Sequence, residues 1–415
     1  MKSAHPRIVL IESNTSGTGR IFISTARRLG FDPLLITQNP ERYSYVHKDK
    51  VETLLHPCTS DVESLDDAIS RTREGQVIAG IYSSSEYFIE TASELARRHG
   101  LPGAEPERVG TCRNKWRQYK CLRDGGVETP ASRRIGSVEE ALGSLQDLPL
   151  PVVLKPVFGT GSVGVKLCRT PFEVESHAQK LLAVKTNERG MTVRQEAIVQ
   201  EYVRWPEFSA EVFQGQVIGI TRKYVSSEPY FVETGHDFPA VFSSHCTEFL
   251  IASIQRALRV TGMVWGPVHV EFRTDNHRFC IMEINPRLAG GFIPELVRLS
   301  TGTDLVEQTI RLVTGQQTAA SAAHYLHASI RFICPPSGGI LEGFRGLSQA
   351  TRLPAIVDVQ AYKSPGDSLT AHHDFRDRIG HIISCARSER EAVQAAGNAI
   401  GKIEVKMNIG TLALA

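Results

Sequence analysis

The chain has no apolar stretch approaching the roughly 18 residues of a membrane-crossing helix. Met1 to Ile11 pass from a short polar lead directly into a strand-like run. A secretory leader would need a long apolar region and a small-residue cleavage site, so neither a span nor a leader is expected. Charge of one sign is also scarce: 47 Lys and Arg balance 45 Asp and Glu to a net charge of +2, and no basic run stands out. Nucleic acid and anionic membranes are therefore disfavoured as partners. The eight cysteines (Cys58, Cys112, Cys121, Cys168, Cys246, Cys280, Cys334 and Cys385) are scattered and form no C-x-x-C pair. That spacing argues against a zinc site or a disulfide framework and favours a reduced, cytoplasmic setting. No internal repeat is present.

What is present is a 415-residue chain, longer than one ordinary core, with the composition of a globular protein. Its first hundred residues alternate strand and helix signals. Arg7 to Glu12, Pro33 to Thr37 and Val77 to Tyr82 read as buried strands, and Arg20 to Leu29 and the stretch after Ser85 through His99 as helices. Such alternation predicts a parallel, doubly wound α/β sheet. Loops at the carboxyl ends of its strands face a ligand crevice, which puts Glu12 to Gly19 and Ser83 to Glu86 beside a site. Leu101-Pro102-Gly103 reads as a boundary, followed by a helix over Arg108 to Asp124. Alternating β-like segments fill Val152 to Ile284, with helices near Phe172 to Leu182, Thr247 to Thr261 and Gly302 to Thr314. A low-complexity patch, Gly315 to Ala323, reads as a surface linker, and a further helix is expected near Ser388 to Ile400.

Three constellations carry chemistry. In the run Val152 to Val165 a buried strand delivers Lys155 into the loop Phe158-Gly159-Thr160-Gly161-Ser162-Val163-Gly164. Glycines let backbone N–H groups approach phosphate oxygens, and a lysine adds compensating charge. No Gly-Lys-Ser/Thr follows, so this is not a Walker A loop; a plain β-hairpin with a glycine turn fits the run equally well. Second, Glu271-Phe272-Arg273 and Ile281-Met282-Glu283-Ile284-Asn285-Pro286-Arg287 flank a hairpin-like turn at Asp275-Asn276-His277. Glu283 and Asn285 share a strand face. Acidic residues on otherwise apolar strands need a cation to neutralise them, and an all-oxygen set suits Mg²⁺. Arg287 could grip a phosphate or carboxylate bidentately. The alternative is a pair of exposed polar positions. Third, Ile198 to Val203 before Trp205-Pro206-Glu207 reads as an edge strand leaving its sheet at a proline. His372-His373-Asp374 reads as a surface loop rather than a metal site, and Cys112 and Cys121 as packing residues.

In this order the pieces resemble the ATP-grasp superfamily: Lys115 in Arg113-Asn114-Lys115-Trp116, the Lys155 strand and glycine loop, the Gln200 to Glu207 hinge, and Glu271…Glu283-x-Asn285-x-Arg287. The resemblance covers roughly Gly110 to Thr314. It implies a doubly wound domain over 1–105, an ATP-grasp domain over 106–320 with a lid lobe at about 128–200, and a small C-terminal lobe over 321–415. By position, Lys115 and Lys155 would contact phosphates, together with Gly161, Ser162 and Gly164 of the loop. The backbone of Glu201 and Val203 would bind adenine, and Glu207 ribose. Glu271, Glu283 and Asn285 would hold Mg²⁺, with Mn²⁺ able to substitute, and Arg287 would stabilise the transferring phosphoryl group. Lys223 matches a lysine near the γ-phosphate; its alternative is a solvated strand lysine.

The segments Arg222 to Ala240 and Gly266 to Arg273 narrow the resemblance to the L-amino-acid ligases. This implies an ATP-dependent, ADP-forming ligase of small-molecule acid and amine substrates, often a homodimer, with antibiotic-tailoring and dipeptide ligases among its kin. Glu233 and His236 would line the amino-acid pocket with Ser84, Gly290 and Gly291, and His269 would lie near the acyl intermediate. His236 as a turn cap and His269 as an interior residue are the bland alternatives. Two rival readings remain: a carboxylase-type or purine-pathway ATP-grasp enzyme, and a non-catalytic nucleotide-binding module.

Overall fold

A computed structural model of the protein describes residues 5–15, 18–72, 76–318 and 326–408. In the strand Arg7–Ile11 successive side chains feed two cores. Ile8 and Leu10 pack with Phe22 and Ile23 of the helix Thr18–Arg28; Val9 and Ile11 pack with Leu65 and Ile69 of Val62–Thr72 and Leu95 of Ile89–Arg98. Burial on both faces is the condition for a parallel sheet. The four strands are parallel, in the order Glu52–Leu55, Asp32–Thr37, Arg7–Ile11, Ile78–Tyr82. Ser16 and Gly17 of the expected crevice loop, and most of the low-complexity patch, lie outside the described residues.

The helix expected over Arg108 to Asp124 is two helices, Pro106–Arg113 and Lys115–Asp124. Asn114 between them is extended, and its side-chain oxygen accepts from the N–H groups of Trp116 (3.1 Å) and Arg117 (2.9 Å). A capping Asn is as compatible with continuous apolar periodicity as a mid-helix one, so the pattern concealed the break. The break sets Lys115 on a first helical turn. Likewise the segment near Gly302 to Thr314 resolves into Leu305–Val313, preceded by a separate helix, Ile293–Thr301, with Gly302 as a left-handed cap (φ 75°).

The segment expected as a lid lobe contains a four-stranded antiparallel sheet, in the order Ser132–Ile135, Ala197–Glu201, Val152–Pro156, Lys166–Cys168. Ala197–Glu201 is therefore an interior strand, not the expected edge strand: both neighbours pair with it before the chain departs at Tyr202. Glu207–Phe213 then begins the central sheet of eight strands. From one edge these are Phe279–Asn285, Pro267–Thr274, Glu207–Phe213, Gln216–Val225, Glu233–Phe238, His327–Ile333, Gly380–Ala386 and Ile356–Ala361. The last three belong to the C-terminal segment, which thus continues the central sheet through pairs such as His236 with Ile330. Among the described residues no helix is long and apolar enough to cross a membrane.

Candidate active site

One face of the central sheet carries polar residues at every second position. Glu271 lies directly across from Glu283, and His269 across from Asn285. On the other side of the same strand, His269 faces Glu211, Glu271 faces Ser209 and Arg273 faces Glu207. Because side chains alternate along a strand, this registration gathers the whole set on one face. The lid sheet delivers Lys155, and the capped helix delivers Lys115.

Each carboxylate has a cation beside it. Lys115 Nζ lies 3.0 Å from Glu283 and donates to the Gly159 carbonyl at 2.7 Å. Lys223, with a side chain 1% exposed, reaches Glu233 at 2.7 Å and Glu207 and Glu271 at 3.2 Å each. Burial opposes the charge on Lys223, but the three carboxylates hold it ionised well above the usual lysine range, and it in turn holds Glu233 and Glu271 well below theirs. For Lys155 burial wins: with Lys115 nearby it brings the lysine down to about 8, although Glu283, Glu271 and Glu207 favour its charge. One orientation of the Asn285 amide bonds Glu283 (3.0 Å) and Glu86 (3.3 Å), and the other reaches Glu271 at 3.5 Å.

The two histidines are in opposite states. His269 lies between Glu211 (3.0 Å from Nδ1) and Glu271 (3.3 Å from Nε2); burial opposes its charge, yet these neighbours raise it to about 9, so it is an imidazolium at neutral pH. His236 is fully buried, and burial pushes it down to about 3, so it is neutral. Among the described residues neither of its ring nitrogens makes a hydrogen bond, although Nε2 lies 3.5 Å from the Glu233 carboxylate.

The glycine loop is closed over this face. Its Thr160 hydroxyl accepts from Arg287 at 3.1 Å, Ser162 donates to the Phe231 carbonyl at 2.9 Å, and the Gly161 carbonyl accepts from the Phe375 N–H at 3.2 Å. Gly161, Ser162 and Gly164 all have positive φ (62°, 65° and 72°), a conformation that glycine adopts without strain. At the hinge, the Glu201 N–H donates to the Ala131 carbonyl and the Val203 carbonyl accepts from Arg273, while Glu207 bonds Arg273 at 2.8 Å.

Ser84 does not reach this face. It is buried against Ser13 (Oγ to Oγ 2.8 Å) and accepts from the Asn14 N–H at 3.0 Å, tying two crevice loops together. Its neighbour Glu86 does reach it, clamped between Arg113 and Arg287. Glu86 closes the segment expected beside the site, but Ser84 rather than Glu86 is its expected site residue. Glu211 was also missed, although it interrupts the apolar run Phe208 to Phe213 much as Glu271 interrupts its own strand. Arg378, which bonds Glu233 at 2.6 Å from the C-terminal segment, gave no local signal. Gly291 (φ 59°) crosses against His236, whereas Gly290 borders open space. In the His372-His373-Asp374 loop, Asp374 is buried with Arg376 as its partner, and His373 stacks on Tyr230 at 4.1 Å.

The chain is similar to known proteins in both sequence and fold. Residues 148–295 match the ATP-grasp domain, and residues 331–408 match the L-amino acid ligase C-terminal domain 2. The uncharacterized protein y4rH of Sinorhizobium fredii is 33% identical, over 96% of this chain and 82% of that protein. Carnosine synthase 1 of Gallus gallus is 26% identical over 72% of this chain, which spans only 34% of the longer enzyme. The crystal structure of an L-amino acid ligase from Bacillus licheniformis superposes with a TM-score of 0.79 at 19% identity, covering 98% of this chain and 100% of that one. The chain belongs to the ATP-grasp superfamily, and its ATP-grasp domain is followed by an L-amino acid ligase C-terminal domain.

Proposed function

We propose that the protein is an ATP-dependent, ADP-forming carboxylate–amine ligase that activates an acid as an acyl phosphate and joins it to an amine, with amino acids or modified amino acids as substrates. The observation that carries this reading is the direct cross-strand pairing of Glu271 with Glu283, with Asn285 two residues on and Lys115, Lys155, Lys223 and Arg287 around them. Two carboxylates and a carboxamide are an oxygen donor set that suits Mg²⁺, which keeps its other positions for water and nucleotide phosphates. The bound ion would neutralise phosphate charge; Mn²⁺ would serve in the same oxygen set.

The chain's own residues then do mostly positioning and charge work, which is what phosphoryl transfer requires. Lys115 and Lys155 hold nucleotide phosphates under the loop of Gly161, Ser162 and Gly164. The hinge offers the Glu201 carbonyl and the Val203 N–H to adenine, while the Glu201 N–H and the Val203 carbonyl are engaged by Ala131 and Arg273. Glu207 holds the ribose. The substrate carboxylate attacks the γ-phosphorus and ADP departs; Arg287, oriented by Glu86, stabilises the transferring oxygens. The His269 imidazolium and Lys223 balance negative charge nearby, while Glu233, neutral His236, Gly290 and Gly291 border the amino acid. The amine then displaces phosphate. A closed loop excludes water from an intermediate that would otherwise hydrolyse.

Glu283→Gln tests the reading in a phosphate-release screen of paired amino acids and dicarboxylic acids. The variant should lose Mg²⁺-dependent, substrate-stimulated ADP formation while still folding; near-normal turnover would overturn the metal assignment. A wild type that releases no ADP with any pair would overturn the ligase reading itself.

A further inference from the structure

Beside the phosphate end of the site lies a corner whose polar groups are buried and incompletely paired. Among the described residues neither ring nitrogen of fully buried His236 makes a hydrogen bond, Nε2 lying 3.5 Å from Glu233, and neither does Nε of Arg378, whose side chain is 11% exposed. Arg378 spends one terminal nitrogen on Glu233 at 2.6 Å and lies over the Phe332 ring at 4.3 Å. Phe332 also meets the His236 ring edge-on at 5.5 Å. The floor is Gly291: a Cβ there would come within 2.6 Å of His236 Nε2 and 3.3 Å of the Arg378 guanidinium. A Cβ on adjacent Gly290 would meet nothing within 4 Å, so the corner opens on that side.

Buried donors left without acceptors are destabilising, and two such side chains in one corner are a poor arrangement for stability alone. Their chemistry specifies what would satisfy them. The guanidinium offers an N–H and net positive charge, since Glu233, its carboxylate partner among the described residues, is shared with Lys223. Neutral His236 offers one N–H and one lone pair. A planar anion that brings acceptors to Arg378 and a polar hydrogen to His236 matches this set, and an amino acid with its free carboxylate has both groups.

We propose that Arg378, carried by the C-terminal segment, recognises a substrate carboxylate at this corner with His236 beside it, so that the amino acid bound there is selected as a free acid. This rests on the ligase reading above and names a specificity-determining residue for it. The carboxylate could belong to the acyl donor or to the amine acceptor, and the test separates these sources.

The wild type, Arg378→Lys and Arg378→Ala are compared in two assays. In the first, each amino-acid acceptor competes with its α-carboxamide for the activated donor. In the second, hydroxylamine replaces the acceptor, and the KM for the donor acid is read alone. If the acceptor is held here, the preference for free acid over carboxamide falls by about 10–100-fold in Arg378→Ala, the range expected for a lost charge-assisted hydrogen bond, and the lysine variant regains part of it. If the donor is held here, its KM rises by that factor in the hydroxylamine assay and the carboxamide preference is unchanged. Folded variants that move neither quantity overturn the proposal. A wild type inactive with every acid and hydroxylamine fails the ligase reading instead. Calorimetric titration of the amino acids and their carboxamides then judges Arg378 separately, with equal binding of both by the wild type and Arg378→Ala overturning it.

Discussion

Replacing Glu86 with Gln tests whether the N-terminal domain takes part in the chemistry. Glu86 is 4% exposed and pairs with Arg113 and with two nitrogens of Arg287, which are themselves buried. Gln keeps the volume and can still accept one hydrogen bond, but it leaves two guanidinium groups without their counter-charge. Breaking a buried ion pair from one side is destabilising by about 3–5 kcal/mol. At roughly 2–4 °C per kcal/mol for a domain of this class, the melting temperature should fall by roughly 6–20 °C. Arg287, no longer held on one side, should also drift from the reacting oxygens, and a misplacement of about 1 Å lowers turnover by about 100-fold. Thermal scanning and a coupled ADP assay measure the two effects, and KM for ATP should change little. The pH dependence has a definite sign. Burial opposes the charge on Glu86, but Arg287 and Arg113 hold it down to about 2, against an ordinary 4.5. Its stabilisation is thus present above about 4.5 and lost as pH falls from there through about 2. The variant should lack this part of the acid transition. A Glu86→Gln protein with wild-type melting temperature and turnover would refute the argument.

Gly161→Ala should stop the glycine loop from seating, because φ is 62° and a Cβ would meet the Phe375 ring at 2.4 Å; a drop in coupled ligation with ADP release uncoupled from product would show it, and wild-type coupling would count against loop closure. Lys155, brought down to about 8, is charged below that pH and neutral above it. The kcat/KM for ATP should therefore decline as pH rises through about 8, whereas kcat, read with phosphates already bound beside the lysine, should hold to higher pH; coincident profiles would exclude Lys155 as a phosphate contact.

Legibility in the sequence depended on whether a residue's partners lie on its own strand or far along the chain. Glu271, Glu283 and Asn285 were readable because period-two spacing on apolar strands makes an acid conspicuous, and one hairpin turn supplies the pairing. The parallel sheet was readable for a similar reason: its strands are buried on both faces. Residues 86 and 287 are 201 positions apart and 233 and 378 are 145 apart, so no local pattern links them. The misread edge strand failed likewise, since Ala197–Glu201 is interior only by virtue of a partner at Ser132–Ile135, more than sixty positions earlier. Ser84 was misplaced because the strand-end rule locates a loop near a crevice without saying which side chain turns inward.

The charge pairing on this face bears on how a site dense in carboxylates stays folded. Unpaired, Glu207, Glu233, Glu271 and Glu283 would repel one another on buried strands. Lys223 holds the first three and Lys115 the fourth. These same lysines are the proposed partners of the incoming nucleotide. Binding of the ion with its nucleotide would then be an exchange, in which carboxylates pass from lysine to metal and lysines from carboxylate to phosphate. Such an exchange leaves the buried charge nearly balanced at each stage, which a site of uncompensated acids could not do. Lys155 is the exception, since burial lowers it to about 8 although Glu283, Glu271 and Glu207 favour its charge. It is still charged at neutral pH, and nucleotide phosphates beside it would favour that charge and move its titration upward, so its titration should report nucleotide binding directly.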